Sequence, residues 1–267
     1  MTELQARGVV KAYGPTPALR GITLDVAEGE IVAVTGPSGC GKSTLLHCLA
    51  GILRPDAGQV FWRGERIDTW SEAARSKLRR TEFGVLFQFG QLVPELTVAE
   101  NVALPLLLAG TGRRAGRTVA TAWLARLGVA DLADARPGEL SGGQQQRCAL
   151  ARTLVTEPRV IFADEPTGAL DTLAGEQVLT QLVRLAREQR TSVVLVTHEP
   201  RIAGYADREV VLRDGAVDGA GLGLDLPAAA GSGLGLRATG APAGEALANA
   251  APAGGAPAGE RPAGGAR

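Results

Sequence analysis

The sequence predicts an α/β protein built on a parallel sheet. Three observations carry that prediction. Short β-branched apolar runs alternate with stretches of helical periodicity, the pattern of strands joined by covering helices. One run ends in a glycine-rich loop and another in two adjacent carboxylates, at the strand ends where such sheets meet ligands. Apolar types make up 45% of the 267 residues and charged types 21%, enough for a sizeable core.

Residues 1–30, LQARGVVKAYG and then GITLDVAEGE, read as short strands with turns in a small antiparallel sheet. Ile31–Thr35 is a β-branched strand ending at Gly36, and Ser43–Ala50 is a compact helix after it. Phe83–Phe87 reads as a buried strand. Between Gln88 and Val155 strand signals vanish, and Val98–Leu108, Thr118–Leu127 and Gly142–Leu154 look helical. This is an expected helical insertion over about residues 89–156. Val160–Ala163 and Ser192–Thr197 read as buried strands. Between them Leu173, Val178, Leu179, Leu182, Val183 and Leu185 recur at helical spacing. From 220 to 267, 33 of 48 residues are Ala, Gly or Pro, so that tail is expected to be disordered and the folded domain to span 1–219.

Lys plus Arg and Asp plus Glu both number 28, which argues against a nucleic-acid partner, and only Lys11, Lys42 and Lys77 are lysines. Arg79-Arg80 and Arg113-Arg114 lack interleaved aromatics and read as solvated, or at most partner-facing, pairs. Cys40, Cys48 and Cys148 show no disulfide framework or zinc spacing and read as buried hydrophobes in a reducing compartment. No apolar run approaches the ~18–20 residues of a membrane span. The N-terminus MTELQARGVV has no signal-peptide core, so a soluble cytoplasmic chain is expected, reaching a membrane only through a partner. The apolar segment Val102–Leu108 reads as either a docking groove or ordinary packing.

Gly36-Pro37-Ser38-Gly39-Cys40-Gly41-Lys42-Ser43, followed by Thr44, matches G-x-x-x-x-G-K-[ST] between a strand and a helix. The glycines let backbone N–H groups turn toward phosphate oxygens, and the new helix adds unpaired N–H groups at its positive end. Lys42 would neutralise β/γ-phosphate charge, and the Ser43 hydroxyl would bind Mg²⁺, a hard cation. The strand Val160–Ala163 ends in Asp164-Glu165, and buried charges need a cation or hydrogen bonds. Asp164 can hold Mg²⁺, while Glu165, on the other face of the strand, can reach an attacking water. His198 follows the strand SVVLVT at an equivalent strand end, whereas His47 reads as packing. Leu140-Ser141-Gly142-Gly143-Gln144 precedes a helical run, with Ser141 as N-cap. One chain therefore has two anion-seeking helix starts, and two chains packed head to tail would use both at each γ-phosphate.

LSGGQ, with the phosphate loop, the Asp-Glu pair and the later His, resembles the nucleotide-binding subunit of ATP-binding cassette (ABC) transporters. The resemblance covers about residues 3–215 and implies a P-loop NTPase core, ATP and Mg²⁺, a homodimer and a membrane permease. Gln88-Phe89, then LTVAENV, LSGGQQQRCALAR and ADEPTGALD, resemble the lipoprotein-releasing and macrolide-export branch, shared by antimicrobial-peptide exporters. The resemblance implies adenine stacking for Tyr13, phosphate binding for residues 36–44, and contact with Mg²⁺, the water and the permease for Gln88. It implies closure over the other subunit's ATP for Ser141, Gly143 and Gln144. Asp164 matches the Mg²⁺-associated aspartate, Glu165 the catalytic base, Asp171 the loop crossing the dimer, and His198 the γ-phosphate contact. Cys40 stands where serine is frequent, Ala169 where this branch often has asparagine, and Gly90 interrupts a usually bulkier stretch. The implied role is an exporter ATPase, peripheral on the inner face of the cell membrane through its permease. The alternative is an ABC ATPase of the cell-division type, which drives a membrane partner that transports nothing. ABC ATPases of DNA repair or translation carry two cassettes or a long coiled coil, and this chain has one phosphate loop and no heptad run.

Overall fold

A computed structural model describes residues 1–88 and 90–218; Phe89 and the proposed tail lie outside the described residues. The strands are β1 (Thr2–Tyr13), β2 (Thr16–Ala27), β3 (Ile31–Thr35), β4 (Ala57–Trp62), β5 (Glu65–Arg66), β6 (Phe83–Leu86), β7 (Val160–Asp164), β8 (Ser192–Val196), β9 (Arg208–Arg213) and β10 (Ala216–Val217). The helices are α1 (Lys42–Leu49), α2 (Glu72–Thr81), α3 (Val98–Leu108), α4 (Arg113–Arg126), α5 (Gly142–Leu154), α6 (Thr172–Gln189) and α7 (Pro200–Ala203).

Two sheets result. One has the order β10-β9-β3-β8-β7-β6. In it β9, β3, β8, β7 and β6 run parallel, and β10 closes the edge antiparallel to β9. The other is antiparallel, with order β2-β1-β4-β5. β3, β8 and β7 are apolar but for one terminal residue each, Thr35, Ser192 and Asp164, because both faces of the parallel sheet are covered. Ile161 and Ala163 join one apolar cluster with α3, α4, α5 and α6. Val160 and Phe162 point the other way, into a cluster with α1 and the antiparallel sheet. There Phe162 meets Phe83 edge to face, with centroids 5.1 Å apart.

The α/β class read from the sequence is the class observed, and α3 and α5 have the expected bounds. Four details differ. The antiparallel sheet is not built from residues 1–30 alone: β4 pairs with β1 from residue 57 onward, a long-range pairing with no local signal. Helix α2 shows little apolar periodicity because its buried face is Arg75 and Leu78. Arg79 is not a solvated cation; it donates to Gly51 O at 2.6 Å beyond the end of α1 and pairs with Glu72. The segment Val102–Leu108 divides: Val102 and Ala103 are buried, Leu106 and Leu107 pack on the core, and Leu108 is 62% exposed.

Candidate functional site

The parallel strands deliver three short segments to one edge: the loop after β3, the turn after β7 and the turn after β8. The loop after β3 is shaped from behind. A β-carbon on Gly36 (φ 140°) would lie 2.1 Å from Leu212 O, and one on Gly41 (φ 103°) 2.4 Å from Ala18 O. Only glycine satisfies both the dihedral and the contact. Gly215 N donates to Cys40 O at 3.1 Å, and Arg20 N donates to Gly215 O at 2.7 Å. The loop is thus braced by the β9–β10 hairpin and by β2.

Inside the loop, Lys42 is buried and its ammonium donates to Gly36 O and Pro37 O at 2.8 Å each. Cys40 N donates to Pro37 O at 3.3 Å, and the Cys40 side chain is buried in the apolar cluster that includes Leu19 and Leu212. Helix α1 begins at Gly41 with no side-chain cap and no acidic residue in its first turn, which leaves its positive end open to an anion. Ser38 and Gly39 are exposed at the tip of the loop, and Thr44 is half-buried in the first turn.

Ser43 Oγ donates to Asp164 Oδ1 at 3.0 Å, so the two expected metal-binding oxygens lie side by side. Burial raises the Asp164 carboxyl above its ordinary range, with the Ser43 hydrogen bond and the nearby His47 acting in opposition. A partly buried carboxylate whose one side-chain hydrogen-bond donor is a hydroxyl suits a hard divalent cation. His47 is half-buried, with its ring 6.3 Å from that of Phe87. Glu165 adopts a left-handed conformation (φ 44°), uncommon for a residue with a side chain, held by Glu165 N donating to Val196 O at 2.9 Å. Its Oε1 lies 3.0 Å from His198 Nδ1.

Phosphate-loop residues Gly36, Pro37 and Ser38 line one cleft together with Glu165 and His198. A further wall is β9, the neighbour of β3, through Glu209, Val211 and Arg213. Sequence reading missed that wall, although REVVLR alternates as a strand does and sends those three residues to one side. Thr35 Oγ1 donates to Glu209 Oε1 at 2.6 Å, joining β3 and β9 at the cleft.

Gln88 follows β6, and its amide comes beside Glu165 at the turn after β7. The loop beyond it is pinned from below. Asn101, fully buried, accepts from Val93 N at 2.7 Å and donates to Val93 O, Leu96 O and Thr97 O. Gln146 and Arg152 on α5 donate to Phe87 O, Gly90 O and Gln91 O. Gly90 has φ 64° and packs against Ala149 and Gln146, which gives the interruption at this position a local cause.

Tyr13 is 53% exposed at the end of β1. Ser141 caps α5, accepting from Gln144 N at 3.3 Å, and Gln144 Oε1 accepts from Ser141 N at 2.8 Å. Gly142 and Gly143 do more than bare N–H groups. β-Carbons there would lie 3.4 Å from Leu170 and 3.2 Å from Ala174, so their smallness also seats α5 against α6. Asp171 caps α6, accepting from Ala174 N at 2.9 Å. Residues 141–144 do not line the cleft of the phosphate loop. All three cysteines are buried and free, and burial raises Cys48 to about 11 and Cys148 to about 12. Among the described residues no helix is long and apolar enough to cross a membrane.

Comparison with known proteins gives the family. Residues 19–168 match the family model described as ABC transporter. The lipoprotein-releasing system ATP-binding protein LolD of Koribacter versatilis is 47% identical over 197 residues, 74% of this chain and 88% of that protein. LolD 2 of Caulobacter vibrioides is 42% identical over 219 residues, 80% of this chain and 96% of its own. A solved dimeric post-hydrolysis state of the ATP-binding cassette MJ0796, bound to ADP and Pi, superposes with a TM-score of 0.76 at 36% identity, covering 80% of this chain and 96% of that one. The chain therefore belongs to the ABC transporter family, on the branch of the lipoprotein-releasing ATP-binding proteins, and is an ATPase that uses ATP with Mg²⁺.

Proposed function

We propose that this ATPase subunit dimerises head to tail around two Mg-ATP and drives a separate permease of a bacterial export system, from the inner face of the cell membrane. The observation that carries the reading is the separation of the two anion-seeking helix starts. The loop that leads into α1 lines the cleft with Glu165 and His198 through Gly36, Pro37 and Ser38, whereas residues 141–144 at the capped start of α5 do not line it. A second copy, turned about a twofold axis, supplies its α5 to this cleft and receives the same in return.

In this reading Tyr13 stacks on adenine, and the N–H groups of residues 36–44 cradle the phosphates. Lys42 exchanges its two carbonyl partners for β/γ-phosphate oxygens. Ser43 and Asp164 hold Mg²⁺, with Gln88 beside them. Bound Mg²⁺ neutralises charge on the transferred group. Glu165 orients a water in line with the γ-phosphate and accepts its proton. His198, at 3.0 Å from Glu165, holds that carboxylate and contacts the γ-phosphate. The second copy's Ser141, Gly142, Gly143 and Gln144 close the charge cage. The helical segment between β6 and β7 carries the closing movement to the permease. The names of the two relatives reported above indicate lipoprotein release as the transport class.

Replacing the base tests this. Glu165→Gln should retain ATP binding and lose at least about 100-fold in turnover. Wild-type steady-state hydrolysis in that variant would remove Glu165 from the role of base.

A further inference from the structure

Gly168 lies in the turn between β7 and α6, on the exposed surface and without a left-handed backbone. Nothing in its own dihedrals requires glycine. What surrounds it does. A β-carbon at Gly168 would lie 2.8 Å from Gln88 Nε2 and 3.3 Å from Glu165 Oε2. The first distance is closer than such a carbon can approach a nitrogen, and the second is tight. The amide of Gln88 and the carboxylate of Glu165 therefore converge on the space that a side chain at 168 would take.

From this we infer that Gly168 is a positioning residue: its missing side chain is the slot in which the Gln88 amide rests beside Glu165. The turn itself is fixed independently, because Gly168 N donates to Glu165 O at 3.0 Å and Leu170 N to Thr167 O at 3.0 Å. A methyl at 168 leaves those bonds in place and displaces first its nearer neighbour, the end of the Gln88 side chain. The Gln88 loop is otherwise held to α3 and α5 by Asn101, Gln146 and Arg152. Gly168 is thus the point where that clamped loop meets the hydrolytic carboxylate. A misplacement of this size at a reacting centre is enough to cost turnover without altering nucleotide affinity. The inference rests on the reading of Glu165 and Gln88 given above. Failure of that reading shows separately, as full turnover in Glu165→Gln or in Gln88→Ala.

A double-mutant cycle on the full chain decides the matter. Gly168→Ala should lower kcat about tenfold, leave KM for ATP within about twofold, and leave the melting midpoint within about 2 °C. In a Gln88→Ala background the same substitution should cost nothing more, since the group it displaces is gone. Ala169→Ser, at the next position of the turn, serves as the control and should keep wild-type kcat. Wild-type kcat in Gly168→Ala, or a loss that multiplies fully with that of Gln88→Ala, overturns the proposal. Should Gly168→Ala melt more than about 5 °C early, Gln88→Asn takes its place. That amide is one methylene shorter and withdraws from the slot with Gly168 intact. Its kcat should fall to the Gln88→Ala level, and wild-type kcat there overturns the proposal equally.

Discussion

At the scale of single residues, Asp164 shows how a site is maintained against stability. Its carboxyl is partly buried with one hydroxyl donor, and burial holds its native pKa above the unfolded value. Such a group favours folding at pH below the unfolded value, and that contribution is lost as pH rises through the native one. In the absence of magnesium and nucleotide, Asp164→Asn should raise the melting midpoint by about 2–4 °C at neutral pH. The gain should shrink as pH falls through the carboxylate range, while hydrolysis is lost at every pH. Calorimetry across that range checks it; a variant less stable at neutral pH would mean that the carboxylate is adequately compensated. The acidic member of a cation-compensated pair behaves oppositely. Arg187 beside Asp207 holds that carboxyl below its usual range, so its contribution is present at neutral pH and fades on acidification.

Elements show what could be read in advance and what could not. Strands β3 and β7 were legible because β-branched runs end in residues no buried strand would choose without a ligand: Gly36 after one, Asp164 and Glu165 at the other. Helix α5 was legible from Ser141 and Gln144, whose reciprocal capping bonds are the ones the spacing predicts. β4 and β9 were not read, since each depends on partners far away in the chain. With β9 went Glu209, Val211 and Arg213, three residues of the cleft wall. The clamp on the loop after Gln88 was also hidden, because nothing local marks Asn101 as buried rather than solvated. Its four hydrogen bonds join α3 to residues 93–97. Asn101→Ala should cost about 2 kcal/mol and about 5 °C in melting midpoint, because the Val93 amide and carbonyl lose their partner. Hydrogen exchange should quicken in the segment 90–97 before it does elsewhere. An unchanged melt would show that water replaces the side chain at no cost.

For the whole molecule, the proposed head-to-tail arrangement makes a demand that a site within one chain does not. Lys42→Ala disables the loop face and Ser141→Arg the signature face. Each variant alone should be inactive. Mixed in equal amounts and allowed to exchange, half of the dimers pair one of each, and each such dimer regains one intact composite site. ATPase activity should return to about a quarter of wild type. No recovery under conditions where exchange is demonstrated would refute the arrangement. The bracing of the phosphate loop bears on how ATP energy is used. Leu212 and Gly215 of the β9–β10 hairpin, with Ala18 and Arg20 of β2, brace the outer surface of that loop through backbone atoms. A cradle preorganised in this way spends little of the nucleotide's binding free energy on its own folding. In the proposed dimer the remainder would be available to draw two subunits together, so the stiffness of one short loop would bear on how much work each ATP delivers.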